Sequence, residues 1–293
     1  MKEKLFDPAF LQKLEYFTLV SRRLHRGESR GEHRTYRKGT SLDFIDYRMY
    51  QPGDDFRYID WNIYGRLGKL FVKLFSAEED LTLYLLLDKS ESMSFGSPRK
   101  IDYARRIAAA LGFIGIANME RVGITEFSSE LEQSLAPLRS RKNLFSLFDF
   151  FLKVRIAGGT DLNRSLADFA LRTRRPGLAI VISDLLDPEG VELGLKALLY
   201  RKFDVILIQV LDEEEIAPRI HGALLLEDSE SGDTERVTVD SELLQIYRKK
   251  VIEYFRRIEN FCLDREIEYL RTTTQVPFED LILKYLRRGM HLR

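Results

Sequence analysis

The sequence predicts an α/β protein: a mostly parallel sheet flanked by helices, preceded by an N-terminal extension and interrupted by a β-hairpin insertion. Three observations carry that prediction. From Leu81 onward, apolar runs of strand length alternate with segments of helical periodicity, the pattern of strands joined by helical crossovers. Of 293 residues, 44% are apolar, enough for one large domain or a medium domain with an extension. Oxygen-bearing side chains stand at the carboxyl ends of apolar runs, where an open parallel sheet binds its ligands.

Taken in order, a helix is predicted around Ala9 to Leu24, followed by a basic polar stretch, by YQPGDDFRYIDW and by the alternating strand KLFVKLF. These make up an extension over residues 1–78, and residues 79–293 form the main domain. There LTLYLLL is the first strand, Lys100 to Met119 a helix, and VGITEF the second strand. LEQSLAP is short and partly polar, as an antiparallel edge strand would be. Leu144, Leu147, Phe148, Phe151 and Leu152 recur at helical spacing, Gly158-Gly159 breaks that helix, and Asp161 to Arg172 starts another. LAIVIS is the third strand, and Asp187-Pro188-Glu189 reads as a cap and an N1 proline opening a helix to Tyr200. FDVILIQVL is the fourth strand. ALLLE, a polar SESGD turn and RVTV form a hairpin over about residues 222–239. From Ser241 to about Arg265, Leu244, Tyr247, Val251, Phe255, Ile258 and Cys262 make one helical stripe; IEYLR is a last strand and Phe278 to Arg287 a closing helix.

Lysine plus arginine and aspartate plus glutamate both number 46, so net charge gives no reason to expect nucleic acid or an acidic membrane as partner. One cysteine and four scattered histidines assemble no zinc pattern, and any metal is expected to bind through oxygen. The N-terminus lacks an apolar run of signal-peptide length, and the longest apolar window, Ile107 to Ala117, is too short for a membrane span. A cytoplasmic protein without membrane insertion is the expectation. The basic stretch Arg22 to Gly39 holds seven Lys or Arg against two Glu and one aromatic, Tyr36, and reads as a solvated arm. In PGDDFRYIDW, Asp54, Asp55, Arg57 and Asp60 are read as caps and ion pairs around the Pro52-Gly53 turn.

Asp88, Ser90 and Ser92 follow the first strand at alternating positions, so an extended backbone turns all three to one side. Thr160 follows the Gly158-Gly159 break, and Asp184 follows the third strand. Any one of these is also what a turn or helix cap uses. Together they offer three hydroxyls and two carboxylates with no soft donor, a set suited to a hard cation, and to Mg²⁺ in particular because it keeps several waters. If hydroxyls ligate directly and the aspartates act through water, the ion stays incompletely neutralised and attracts a carboxylate from outside.

These residues resemble the von Willebrand factor A fold, whose metal-ion-dependent adhesion site reads DxSxS, then Thr, then Asp: here Asp88-Lys89-Ser90-Glu91-Ser92, Thr160 of GGTDL and Asp184 of ISD. The stretch from DFIDYRMYQPGDDFRYIDW to LDKSESM further resembles the bacterial domain of unknown function 58 (DUF58), from about Gly39 onward. The resemblance implies a Mg²⁺ site at Asp88, Ser90, Ser92, Thr160 and Asp184. It also implies work beside a MoxR-type AAA ATPase, in assembly or maturation of protein complexes, with that ATPase or its client supplying an Asp or Glu. Glu91 departs from the glycine common at its position, which places an extra carboxylate near the rim. No G-x-x-x-x-G-K-[ST] loop is present, so ATP hydrolysis is not expected of this chain. The expected function is a non-enzymatic adaptor. The alternative is an aspartate-based phosphatase of α/β fold, which would want a second acid where Ser90 stands.

Overall fold

The computed structural model describes residues 5–28, 43–76 and 82–288. The chain divides into two units, one formed by Met1–Glu28 with Leu81–Arg293 and the other by Ser29–Asp80. Helix α1 (Pro8–Glu28) therefore belongs with the large unit, which corrects the grouping of residues 1–78 as a single extension. The reason is its apolar stripe: Phe10, Leu14 and Phe17 share one helix face and are buried in the large unit's core. Of the basic stretch, α1 takes in Arg22 to Glu28, and residues 29–39 lie outside the described residues.

The small unit comprises β1 (Asp43–Met49), α2 (Trp61–Leu67) and β2 (Phe71–Ser76). Strands β1 and β2 pair antiparallel, with a bulge between Phe44 and Asp46. The sequence reading identified neither β1, whose alternation the bulge interrupts, nor α2. The acidic residues of PGDDFRYIDW act as that reading expects. Asp60 caps α2 by accepting from the Asn62 and Ile63 amides, and Gly68, at φ 63°, ends the helix in the left-handed conformation. Asp55 pairs with Arg57 at 2.7 Å, and Asp54 with Arg48 at 2.7 Å.

In the large unit β3 (Thr82–Asp88), α3 (Lys100–Ala117), β4 (Arg121–Phe127), β5 (Leu131–Leu138), α4 (Leu144–Lys153), α5 (Leu162–Arg172), β6 (Leu178–Ser183), α6 (Glu192–Tyr200) and β7 (Asp204–Leu211) follow in order. After them come the short helix α7 (Glu213–Ile216), the hairpin β8 (Gly222–Glu227) and β9 (Thr234–Val239), then α8 (Ser241–Leu263), β10 (Glu268–Thr273) and α9 (Phe278–Arg288). The main sheet has the order β10-β7-β6-β3-β4-β5, parallel throughout except for β5, which pairs antiparallel on β4 at one edge. This is the mostly parallel α/β sheet that the sequence predicts.

Both faces of that sheet are covered, which explains why β3 reads as a continuous apolar run. Leu83, Leu85 and Leu87 pack on one side with α1, α3, α4 and α9, while Tyr84 and Leu86 pack on the other with α5, α6 and the Ile258 and Cys262 side of α8. Full burial of a leucine such as Leu85 contributes about 1.5–3 kcal/mol, so these alternating positions fix the register. One boundary departs from expectation. Asp187 does not open α6; its carboxylate accepts from the Leu162 and Glu189 amides, Gly190 follows at φ 73°, and α6 starts at Glu192. The carboxylate that would have capped the helix is engaged in joining the 184–190 loop to α5.

Among the described residues no helix is long and apolar enough to cross a membrane. Cys262 is 1% exposed within the α8 core face, and burial pushes its thiol up to about 12. It is expected to stay unmodified by a thiol reagent at pH 8 in the folded protein and to react at once after unfolding in guanidinium, because only the thiolate is nucleophilic. Rapid labelling of the native protein would place Cys262 outside the core.

Candidate functional site

The chain passes from β3 to β4 on one side and later returns to β6 on the other, so the carboxyl ends of β3 and β6 meet at the topological switch point of the sheet. Asp88 is the last residue of β3, and Asp184 directly follows β6. Because Leu87 pairs with Ile182 in the parallel register, Asp88 lies level with Ser183, whose hydroxyl donates to Asp88 Oδ2 at 2.5 Å. Asp88 Oδ1 accepts from the Ser90 amide at 2.9 Å and from Ser90 Oγ at 2.7 Å, and Ser90 Oγ lies 3.1 Å from Ser92 Oγ. Lys89 leaves this group and pairs with Glu132 at 2.6 Å. The alternation read from the sequence thus brings Asp88, Ser90 and Ser92 together.

Asp88, Ser90 and Asp184 are each 0% exposed, while Ser92 is half-buried. Burial, and after it the nearby charge of Asp184, push the Asp88 carboxyl up to about 7 against the opposing hydrogen bonds of Ser183 and Ser90. Two carboxylates are crowded into a water-poor place, and a cation beside them relieves that cost.

One such cation is supplied by the chain itself. Lys100, the first residue of α3, is fully buried and donates from Nζ to Asp184 Oδ2 at 2.6 Å; it also pairs with Glu215 of α7. Burial opposes the ammonium charge, but Asp184 and then Glu215 outweigh it and hold Lys100 above its usual range. Glu215 is fixed in turn by a capping box with Asp212, and its carbonyl accepts from the Tyr247 hydroxyl at 2.6 Å. Asp184 is further held through Oδ1, which accepts from the Leu186 amide at 3.0 Å.

The third loop is tied to the first through backbone: the Ala157 amide donates to the Lys89 carbonyl, and the Glu91 amide to the Gly158 carbonyl, both at 3.0 Å. Thr160 follows two residues on, but its polar atoms turn elsewhere. Its amide donates to Glu230 Oε2 at 2.8 Å and its hydroxyl to Glu230 Oε1 at 2.5 Å. Of the five predicted residues, three share one hydrogen-bonded cluster, Asp184 adjoins it while paired with Lys100, and Thr160 meets a carboxylate from the hairpin.

Among the described residues no group of three or more His, Cys, Asp or Glu side chains is placed to hold a metal ion, so a cation here would depend on hydroxyl oxygens. The donor set fits a hard ion in that way. Three oxygens, those of Asp88, Ser90 and Ser92, are held close enough by mutual hydrogen bonds of 2.7 and 3.1 Å to face one ion, whose arrival would replace those bonds. Sequence reasoning missed Lys100, Glu215, Ser183 and Glu230. Only Ser183 carried a signal, as the residue before Asp184 at the same strand end.

A family model described as "Protein of unknown function DUF58" matches residues 46–254. "Uncharacterized protein Mb1516" of Mycobacterium bovis and "Uncharacterized protein Rv1480" of Mycobacterium tuberculosis are each 28% identical over 242 residues, which is 81% of this chain and 76% of theirs. Among solved structures, the conserved hypothetical protein BatB from Bacteroides thetaiotaomicron is similar at 17% identity and a TM-score of 0.46, over 73% of this chain and all of that one. Matched by its family model over well more than half of its length, the chain belongs to the DUF58 family.

Proposed function

We propose that the protein is a non-enzymatic, metal-dependent protein-interaction adaptor. The observation that carries this reading is the gathering of the Asp88, Ser90 and Ser92 oxygens at the switch point, beside a second buried aspartate. Mg²⁺ would be held by Ser90 and Ser92 with Asp88 close by, and Asp184 and Thr160 would border it. The ion supplies a positive charge that the surrounding protein neutralises only in part, so an Asp or Glu of another protein can complete its shell. By family resemblance we take that partner to be a MoxR-type AAA ATPase or a client of one, in chaperone-like assembly of protein complexes. An adaptor reading also suits Asp88 better than a nucleophile's role, since both of its oxygens already accept hydrogen bonds.

The test is a calorimetric Mg²⁺ titration of the wild type and of the double variant Ser90→Ala, Ser92→Ala, paired with copurification of the MoxR-type ATPase with and without chelator. We expect the double variant, which removes both direct ligands, to lose Mg²⁺ binding by more than the roughly 10–100-fold that losing an outer-shell partner costs, and chelation and the double variant to weaken the complex alike and without adding. Recovery of the ATPase equally from native, mutant and chelated samples would move the contact to another surface. Turnover of p-nitrophenyl phosphate by the Mg²⁺-loaded protein would favour the phosphatase.

A further inference from the structure

The hairpin that interrupts the α/β rhythm has a tightly built tip. Asp228 Oδ1 accepts from the Glu230 amide at 2.9 Å and from the Ser231 amide at 2.7 Å; the Asp228 amide donates to the Asp233 carbonyl at 2.8 Å, and Gly232 turns the chain at φ 74°. The charge of Asp228 is favoured by those two amides, which hold its carboxyl below the usual range. The product of this turn is a single carboxylate, Glu230, presented to Thr160 on the loop that is tied through backbone to the Asp88–Ser92 loop. It grips Thr160 with both oxygens, at 2.8 Å on the amide and 2.5 Å on the hydroxyl, and it lies over Gly159, where an added Cβ would come within 3.3 Å of Glu230 Oε2.

A carboxylate held on Thr160 by a surface hairpin has the chemistry expected of an incoming partner's acid, and it comes from the chain's own insertion. Glu91, the other acid near the rim, is anchored through its backbone, its amide donating to the Gly158 carbonyl. We propose that Glu230 is an internal stand-in for the partner's acidic side chain, and that the 222–239 hairpin is an autoinhibitory latch that an acidic protein ligand must displace. This rests on the metal-dependent adaptor reading above and names how that site is regulated. Glu230 is exposed and the hairpin tip contributes nothing to either core cluster, so the latch can open without unfolding the sheet. With a latch closed nine-tenths of the time, the apparent affinity for a competing acid falls about tenfold.

The probes are a short synthetic peptide with one glutamate and its glutamine counterpart, measured by fluorescence anisotropy in saturating Mg²⁺ against wild type, Glu230→Ala and Glu230→Gln. Mg²⁺ affinity is measured separately by calorimetry and folding by thermal melting. We expect both variants to bind the glutamate peptide about tenfold more tightly than wild type, to ignore the glutamine peptide, and to bind Mg²⁺ as wild type does. Equal peptide binding by wild type and both variants, with Mg²⁺ bound by all, overturns the latch and leaves the metal reading standing. A Glu230→Gln protein that behaves as wild type while Glu230→Ala binds more tightly also overturns it, since hydrogen bonds alone would then pin the hairpin. If no form binds Mg²⁺, the metal reading fails first and the latch with it.

Discussion

Replacing Lys100 with methionine is expected to destabilise the fold by about 3–5 kcal/mol, the usual cost of removing one partner from a buried ion pair. The side chain is fully buried, and methionine matches its length and apolar stem, so little of the loss comes from packing. What remains is electrostatic. Asp184, also fully buried, and Glu215, mostly buried, would be left without their shared cation. Urea unfolding followed by circular dichroism measures the loss, and Glu215→Gln in the same chain should recover part of it by removing one of the stranded charges. A second readout separates this from generic core damage: Lys100 competes with any external cation for Asp184, so a folded Lys100→Met protein should bind Mg²⁺ more tightly. Wild-type stability in Lys100→Met would mean that water, not this ammonium, balances the two acids.

Lys100 also shows where sequence reading stops. The central strands of the main sheet were legible because a strand buried on both faces is written as an uninterrupted apolar run, and the helices because Phe10, Leu14 and Phe17 or Leu244, Phe255 and Ile258 repeat at helical spacing. Asp88, Ser90 and Ser92 were legible for a similar local reason, since alternation in a short segment fixes which side chains share a side. Nothing local marks Lys100 as buried. Its partners stand 84 and 115 residues away, and only the folded sheet brings them to it. Glu230 is the same case at the other end of the site: its turn was visible as SESGD, but its target 70 residues earlier was not. Grouping α1 with the extension failed because periodicity shows which face of a helix is apolar without saying which core receives it.

Asp88→Asn is expected to weaken Mg²⁺ binding by about 10–100-fold while leaving the protein folded. Asparagine keeps the shape and one acceptor oxygen, so the Ser90 amide retains its partner, and the Ser183 hydroxyl can rotate to accept from the new amide. What is lost is the negative charge that this carboxyl, pushed up to about 7 in the metal-free protein, takes on when a cation beside it favours ionisation. Asp184→Asn is the informative companion, because the two aspartates look equivalent in the DxSxS, Thr, Asp pattern but differ in their surroundings. Asp184 already has an ammonium at 2.6 Å, whereas the hydrogen-bond partners of Asp88 are the neutral groups of Ser90 and Ser183. More of the negative potential available to an added cation should therefore come from Asp88, and Asp88→Asn should cost more Mg²⁺ affinity than Asp184→Asn. Calorimetric titration of both variants, each checked by circular dichroism, decides the order. A folded Asp88→Asn protein with wild-type Mg²⁺ affinity would remove the ion from this loop, and an Asp184→Asn protein with the larger loss would show that Lys100 moves off Asp184 when the metal arrives.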